Sequence, residues 1–218
     1  MKELEKVNGI ERYRISSIEP NLITDEIIQL VKNSKKFMPH FHIPLQSGSD
    51  LILAKMKRRY KSKLYYEKVN KITKDVKDVC IGADVIIGFP GETEEEFNKT
   101  LNFIKNLQIS YLHVFSYSER ENTTAILFKE KITKQIKAER SKKLRILSDK
   151  LQKSFYQKYL DSIQTALFEN ENHGEMLYGF TDNYIKVKIP FNVKLCKTKQ
   201  LIKLIDIDSD GIVKSELI

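Results

Sequence analysis

The chain has 218 residues, 41% hydrophobic and 31% charged, with a net charge of +9 and two cysteines. No apolar run reaches the ~20 residues that cross a bilayer, and the charged residues 1–8 lack the apolar stretch of a signal peptide, so a cytoplasmic protein is expected. Cys80 and Cys196 are too far apart for a CxxC or CxxxCxxC, which leaves no cysteine motif for a cluster or a structural zinc; each is expected to be a buried thiol.

Residues 1–8 read as the tail of a helix, running into Gly9. A strand follows over residues 13–18, ending at Glu19 and Pro20, and then a helix from about Thr24 with its apolar stripe on Ile27, Ile28, Leu30 and Val31. Residues 40–45 read as a second strand, followed by Gln46-Ser47-Gly48-Ser49-Asp50 and two helices, the first with a basic end at Lys55, Lys57, Arg58 and Arg59. The third strand carries Val85, Ile86 and Ile87 into a turn of Gly88, Pro90 and Gly91. Thr93 and Glu96 then form a capping-box pattern for a helix with Phe97, Leu101, Ile104 and Leu107 on one face. Residues 111–117 make a fourth strand.

Strands alternating with helices at this spacing predict a parallel sheet. Polar or glycine residues after each strand then share one rim, where ligands bind.

Residues 131–162 hold ten basic and three acidic side chains, most of the net positive charge, which favours a polyanionic partner. The spacing predicts a long helix over 133–160 that packs through Leu144, Leu147, Leu151 and Phe155 and leaves Lys137, Arg140, Lys142, Lys143, Arg145 and Lys150 to solvent. Beyond 162 short strands are expected at 164–169, 176–180, 184–190 and 201–206. The alternation of Ile185, Lys186, Val187, Lys188 and Ile189 predicts a lysine-bearing outer face. Small basic β-barrels of this kind commonly bind nucleic acid backbone.

Arg14-Ile15-Ser16-Ser17-Ile18-Glu19-Pro20, His42-Ile43-Pro44-Leu45-Gln46-Ser47-Gly48-Ser49-Asp50, Asp84-Val85-Ile86-Ile87-Gly88-Phe89-Pro90-Gly91-Glu92-Thr93 and His113-Val114-Phe115-Ser116-Tyr117-Ser118 resemble the radical S-adenosylmethionine methylthiotransferases, in order and over nearly the whole chain. Ser-Ser-Ile-Glu-Pro and Gly179-Phe180-Thr181-Asp182-Asn183-Tyr184-Ile185-Lys186-Val187 look like the branch acting on N6-threonylcarbamoyladenosine at position 37 of tRNA. The resemblance implies an α/β fold: a partial radical-SAM (β/α) barrel over residues 1–130, a basic linking helix over 131–162, and a small all-β, OB-like TRAM barrel over 163–218. It implies C2 methylthiolation of the modified adenosine, with tRNA as partner, S-adenosylmethionine as cofactor and two [4Fe-4S] clusters in the full-length family. The cluster cysteines have no counterpart here. In the family they lie upstream of the Ser-Ser-Ile-Glu-Pro strand, so the expectation is a C-terminal portion: a fragment of a longer gene product, the product of a different start, or a split or decayed gene, a separate N-terminal polypeptide supplying the missing half in the split case. The alternative is a non-catalytic tRNA-binding fragment or a subunit of a split enzyme. A metabolic (β/α)-barrel enzyme finds no acid/base pair or metal-ligand set in support. Arg120-Glu121-Asn122-Thr123 departs from the family's Arg-Pro-Gly-Thr and loosens any role for Arg120.

The same match implies S-adenosylmethionine contacts. Ser17 and Glu19 are expected at its polar groups, unless Glu19 caps the next helix. Gln46 and Ser47 are expected at the ribose or methionine end, unless they only hold the turn. Gly88, Phe89 and Gly91 shape the adenine contact with Ile87 packed on the base, turn architecture being the alternative. Asp84 is either a ligand contact or a structural acceptor, and the backbones of Phe115 and Tyr117 meet adenine or belong to core packing. Lys186, Lys188, Lys194, Lys197 and Lys199 are the expected tRNA phosphate contacts. His40, His42 and His113 lack metal-binding spacing and read as structural.

Overall fold

The computed structural model describes all residues except Asn122 and Lys129, and all side chains but those of residues 122, 124, 126, 129 and 170–173. A short helix α1 (Lys2–Glu5) leads to β1 (Tyr13–Ile15), α2 (Asp25–Asn33), β2 (Phe37–His42), α3 (Asp50–Lys55), α4 (Ser62–Asp75), β3 (Cys80–Ile87), α5 (Glu94–Lys105) and β4 (Tyr111–Ser116). The strands form one parallel sheet in chain order, β1-β2-β3-β4. Side-chain caps start three of the helices: Thr24, Ser49 and Thr93 accept from the backbone N–H groups of Ile27, Ile52 and Glu96. Only half of the expected capping box forms, because the Glu96 carboxylate turns instead to Ser49 and Lys99.

β3 alternates as a strand must. Ile81, Ala83, Val85 and Ile87 are buried in the core with Ile28, Val31, Tyr65, Val69, Ile72, Phe97 and Ile104 from the helices. Asp84 and Ile86 are half-buried on the opposite face. Gly82 lies beneath the Tyr111 ring, where an added Cβ would come within 2.1 Å of it.

Helix α6 (Lys134–Gln157) covers the edge of the sheet. Its Ser148 hydroxyl accepts from the Leu112 N–H at 2.9 Å and donates to the Leu112 carbonyl at 3.1 Å, satisfying backbone groups that an edge strand leaves open. Leu144, Leu147 and Leu151 join the sheet's core, and Phe155 and Tyr156 enter a second core in the C-terminal half. Arg140 does not face solvent as the helical pattern predicts: it is 4% exposed.

Strands β5 (Ile163–His173), β6 (Met176–Thr181), β7 (Lys186–Pro190), β8 (Lys199–Ile207) and β9 (Val213–Leu217) close a barrel in the order β5-β6-β7-β9-β8. The sequence reading missed β9, which pairs with both β7 and β8 and completes the closure. The barrel docks on β1. Arg12 donates to the carbonyls of Thr165 and Phe180, and Arg14 to those of Thr181 and Asp182. The Arg14 guanidinium lies 4.8 Å from the Tyr184 ring centroid, and Tyr184 packs 4.2 Å from His40. The first strand is thereby half-buried, although it remains the edge of the sheet.

Candidate functional site

After β2 the chain does not continue as a strand. Gln46 takes a left-handed φ of 64°, unusual for a residue with a Cβ. Its N–H donates to the Asp84 carbonyl at 2.8 Å, and its own carbonyl accepts from Ile86 at 2.9 Å. Those two bonds clamp Gln46 beside β3. The Tyr60 hydroxyl secures the approach by donating to the carbonyls of Pro44 and Leu45.

After β3, Gly88 (φ 72°) and Gly91 (φ 83°) supply the positive φ values of the turn. The Gly88 N–H donates to Glu92 Oε2 at 2.7 Å. Arg140 reaches from α6 to the same oxygen at 2.9 Å, to the Glu92 carbonyl at 2.7 Å and to Glu94 at 3.0 Å. Burial pushes the Glu92 carboxyl above its ordinary value, partly opposed by the Gly88 N–H and Arg140. This buried pair ties the glycine turn to the long helix, and its partners are 48 residues apart, beyond the reach of any local pattern.

These segments and the end of β4 surround a groove of about 490 Å³, within the range of small-molecule sites. Ile86, Phe89 and Phe115 give it apolar walls, and Gln46, Arg58 and Tyr117 give it polar ones. Phe89 meets Tyr117 edge-on at 5.1 Å. Gln46 Oε1, Arg58 Nε and the Tyr117 hydroxyl are buried with no hydrogen-bond partner among the described residues. Such groups are costly unless something satisfies them. Three such groups on residues that line one groove point to a site for a polar ligand with an apolar body.

The structure brings together Gln46, Asp84, Phe89, Phe115 and Tyr117 of the expected contacts, and adds Arg58 and Ile86. It corrects several others. Ile87 is fully buried under the helices, so its neighbour Ile86 faces the groove; the reading was one residue out of phase. Ser47 is also fully buried, its hydroxyl 3.0 Å from that of Thr100 and accepting from the Ser49 N–H, so it holds the turn. Tyr117 has its N–H bonded to the Ile87 carbonyl and its own carbonyl bonded to Lys137, leaving its ring and hydroxyl for the groove. Glu19 makes no side-chain cap; it pairs with Arg58 at 3.2 Å. Ser17 is exposed. Gly88 and Gly91 shape the turn, where added Cβ atoms would meet Lys137 and Lys55.

Deeper on the same sheet face, His42 Nε2 lies 2.8 Å and His113 Nδ1 3.4 Å from Asp84 Oδ1. Burial alone would raise the Asp84 carboxyl, but His42 and His113 outweigh it and hold it below the usual carboxylate value. The histidines come from β2 and β4, which flank β3, so sequence spacing could not reveal their meeting.

In the barrel, Lys194, Lys197 and Lys199 are exposed and Lys186 is half-buried beside the Tyr178 ring. Lys199 is paired with Glu11. Lys188 departs from the expected outer face: it is 6% exposed and held by Asp208 at 2.8 Å and Asp210 at 2.6 Å. Lys188→Ala is therefore expected to lower the thermal midpoint of unfolding. The two aspartates are held below their ordinary carboxyl values chiefly by Lys188. Their contribution to stability is present above the unfolded value and is lost as pH falls through the folded one. Thermal melts at neutral and acid pH check this: the wild-type advantage over the variant should shrink on acidification.

Residues 1–104 match the Radical SAM superfamily. The chain is 43% identical over 192 residues to the threonylcarbamoyladenosine tRNA methylthiotransferase MtaB of Bacillus subtilis (strain 168), covering 86% of this chain and 43% of that protein. It is 41% identical over 188 residues to the MtaB of Aquifex aeolicus (strain VF5), covering 86% and 45%. It is 38% identical over 184 residues to the tRNA-2-methylthio-N(6)-dimethylallyladenosine synthase of Clostridium tetani, covering 84% and 41%. The chain thus spans less than half the length of these relatives. Coproporphyrinogen III oxidase (HemN) from Escherichia coli, a radical SAM enzyme, shares the fold: the TM-score is 0.55 at 17% identity, over 64% of this chain and 32% of that one.

Proposed function

We propose that the chain is part of a radical S-adenosylmethionine tRNA methylthiotransferase and that its groove is a wall of the S-adenosylmethionine site, a reading supported by the match of residues 1–104 and by the similarity to MtaB. The carrying observation is that three residues lining an apolar-walled groove at the C-terminal ends of parallel strands, Gln46, Arg58 and Tyr117, each bear a buried polar atom with no hydrogen-bond partner among the described residues. Phe89, Phe115 and Ile86 offer a surface for adenine. The Gln46 amide and Tyr117 hydroxyl offer hydrogen bonds to ribose or to the amino acid end, and Arg58 offers charge to a carboxylate. The bound cofactor supplies the reactive sulfonium; these residues bind it, orient it and exclude water. The substrate proposed is N6-threonylcarbamoyladenosine at position 37 of tRNA, on the strength of the two relatives that carry that name.

The residues here do not fit an iron-sulfur cluster. Cys80 opens β3, buried, with its thiol pushed up to about 12 chiefly by burial, and Cys196 lies in the barrel half. A cluster would have to be held by cysteines other than these two.

The barrel is proposed as a TRAM-like tRNA grip, with Lys186, Lys194, Lys197 and Lys199 on phosphates. Charge–phosphate contacts release counterions, so affinity should fall steeply with salt. Lys194→Glu and Lys197→Glu are each expected to reduce the slope of log affinity against log salt by about 1 without unfolding the barrel. Filter binding to tRNA across a salt series checks this, and an unchanged slope counts against these lysines. The second reading is a non-catalytic tRNA-binding protein, favoured by the exposed lysines of the barrel. It keeps the salt-sensitive tRNA binding but predicts no saturable S-adenosylmethionine binding.

A further inference from the structure

We propose that His42, Asp84 and His113 form a binding site for one divalent transition-metal ion of the Zn²⁺ class, on the open face of the sheet. Their ligand atoms all lie within 4.8 Å of one another. A tetrahedral ion with bonds near 2.1 Å asks for ligand atoms about 3.4 Å apart. His113 Nδ1 and Asp84 Oδ1 stand at 3.4 Å already, while His42 Nε2 and Asp84 Oδ1, at 2.8 Å, need only part where an ion replaces their hydrogen bond. Two imidazoles and one carboxylate suit a borderline ion; Mg²⁺ and Ca²⁺ favour more oxygen ligands.

The backbone fixes this arrangement. Asp84 and His113 are direct cross-strand partners, and His42 is paired with Gly82, two residues from Asp84 on the same face. Ligands on three adjacent strands are held more rigidly than ligands on loops. A supporting contact lies behind His42: the Tyr111 hydroxyl is 3.4 Å from its Nδ1 and 3.0 Å from His40 Nε2. When Nε2 binds an ion, Nδ1–H can donate to Tyr111, whose hydroxyl proton passes on to His40. A metal-bound histidine commonly has such a partner on its second nitrogen.

The site has an open side. The His113 side chain is 54% exposed, against 10% for His42. Asp84 lines the groove and His113 lines a separate cavity of about 210 Å³ between sheet and barrel. The ion would thus stand between the two, with a coordination position left for water or for an oxygen of an incoming ligand.

The test is Co²⁺ titration of the untagged full chain after chelator treatment, without S-adenosylmethionine. The expected result is visible d–d absorption that saturates at one equivalent and is bleached by Zn²⁺. His113→Asn and Asp84→Asn should each weaken binding more than about 100-fold, and Tyr111→Phe by about 10-fold. Because His113 is half-exposed, its variant should keep the wild-type circular dichroism and decides the matter if Asp84→Asn misfolds. No saturable absorption, or absorption unchanged in His113→Asn, overturns the site. Either outcome leaves the groove reading standing, since that is read by cofactor binding.

Discussion

Replacing Arg140 with alanine is expected to lower the free energy of unfolding by about 3–5 kcal/mol at neutral pH. Arg140 and Glu92 are almost wholly buried, and removing the guanidinium leaves the Glu92 carboxylate with the Gly88 N–H as its one donor among the described residues. The loss should depend on pH. Glu92 already titrates above its ordinary value, because burial outweighs the Gly88 N–H and Arg140. A group of that kind stabilises fully below its unfolded value and loses that contribution as pH rises through its folded value. Without Arg140 the folded value rises further, so the variant should be least impaired near pH 5 and most impaired above neutrality. Urea denaturation at the two pH values checks this. A loss under about 1 kcal/mol, or one independent of pH, would show that the pair does not fasten the glycine turn to α6.

The second large effect concerns Gln46. Gln46→Gly should separate stability from ligand binding. The left-handed φ of 64° costs a residue with a Cβ about 1–2 kcal/mol, which glycine avoids. Glycine also gains unfolded-state entropy of about 0.4–1 kcal/mol, so stability should change by no more than about 1 kcal/mol. The amide that faces the groove is lost with the side chain. Losing a buried hydrogen-bonding partner of a polar ligand costs about 1–3 kcal/mol, so S-adenosylmethionine affinity should drop by about tenfold to a hundredfold. Paired urea denaturation and calorimetric binding on the same preparation measure both. A destabilised variant with unchanged affinity would make Gln46 a turn residue alone.

The sequence shows its order of elements where local patterns are strong. The capped helices α2 and α5, the strand into Gly88 and the long helix are all legible from apolar periodicity and caps. What stayed hidden depends on phase or on distant pairing. The run Val85, Ile86, Ile87 is apolar on both faces, so nothing in it says which isoleucine meets the groove; the sheet register decides for Ile86. Arg140 and Lys188 look like solvent residues because lysine and arginine usually are, but the acidic partners that draw them inward lie 48 and 20 or more residues away. Strand β9 is short, and its residues Lys214, Ser215 and Glu216 conceal the pattern. His42, Asp84 and His113 meet only because three strands lie side by side.

The central claim is that the groove binds S-adenosylmethionine, and equilibrium dialysis of the labelled cofactor against the full chain tests it most directly. Saturable one-to-one binding is expected, weakened by Gln46→Gly and by Phe89→Ala in protein that remains folded. No saturable binding to the folded chain, or binding undiminished in both variants, would contradict it.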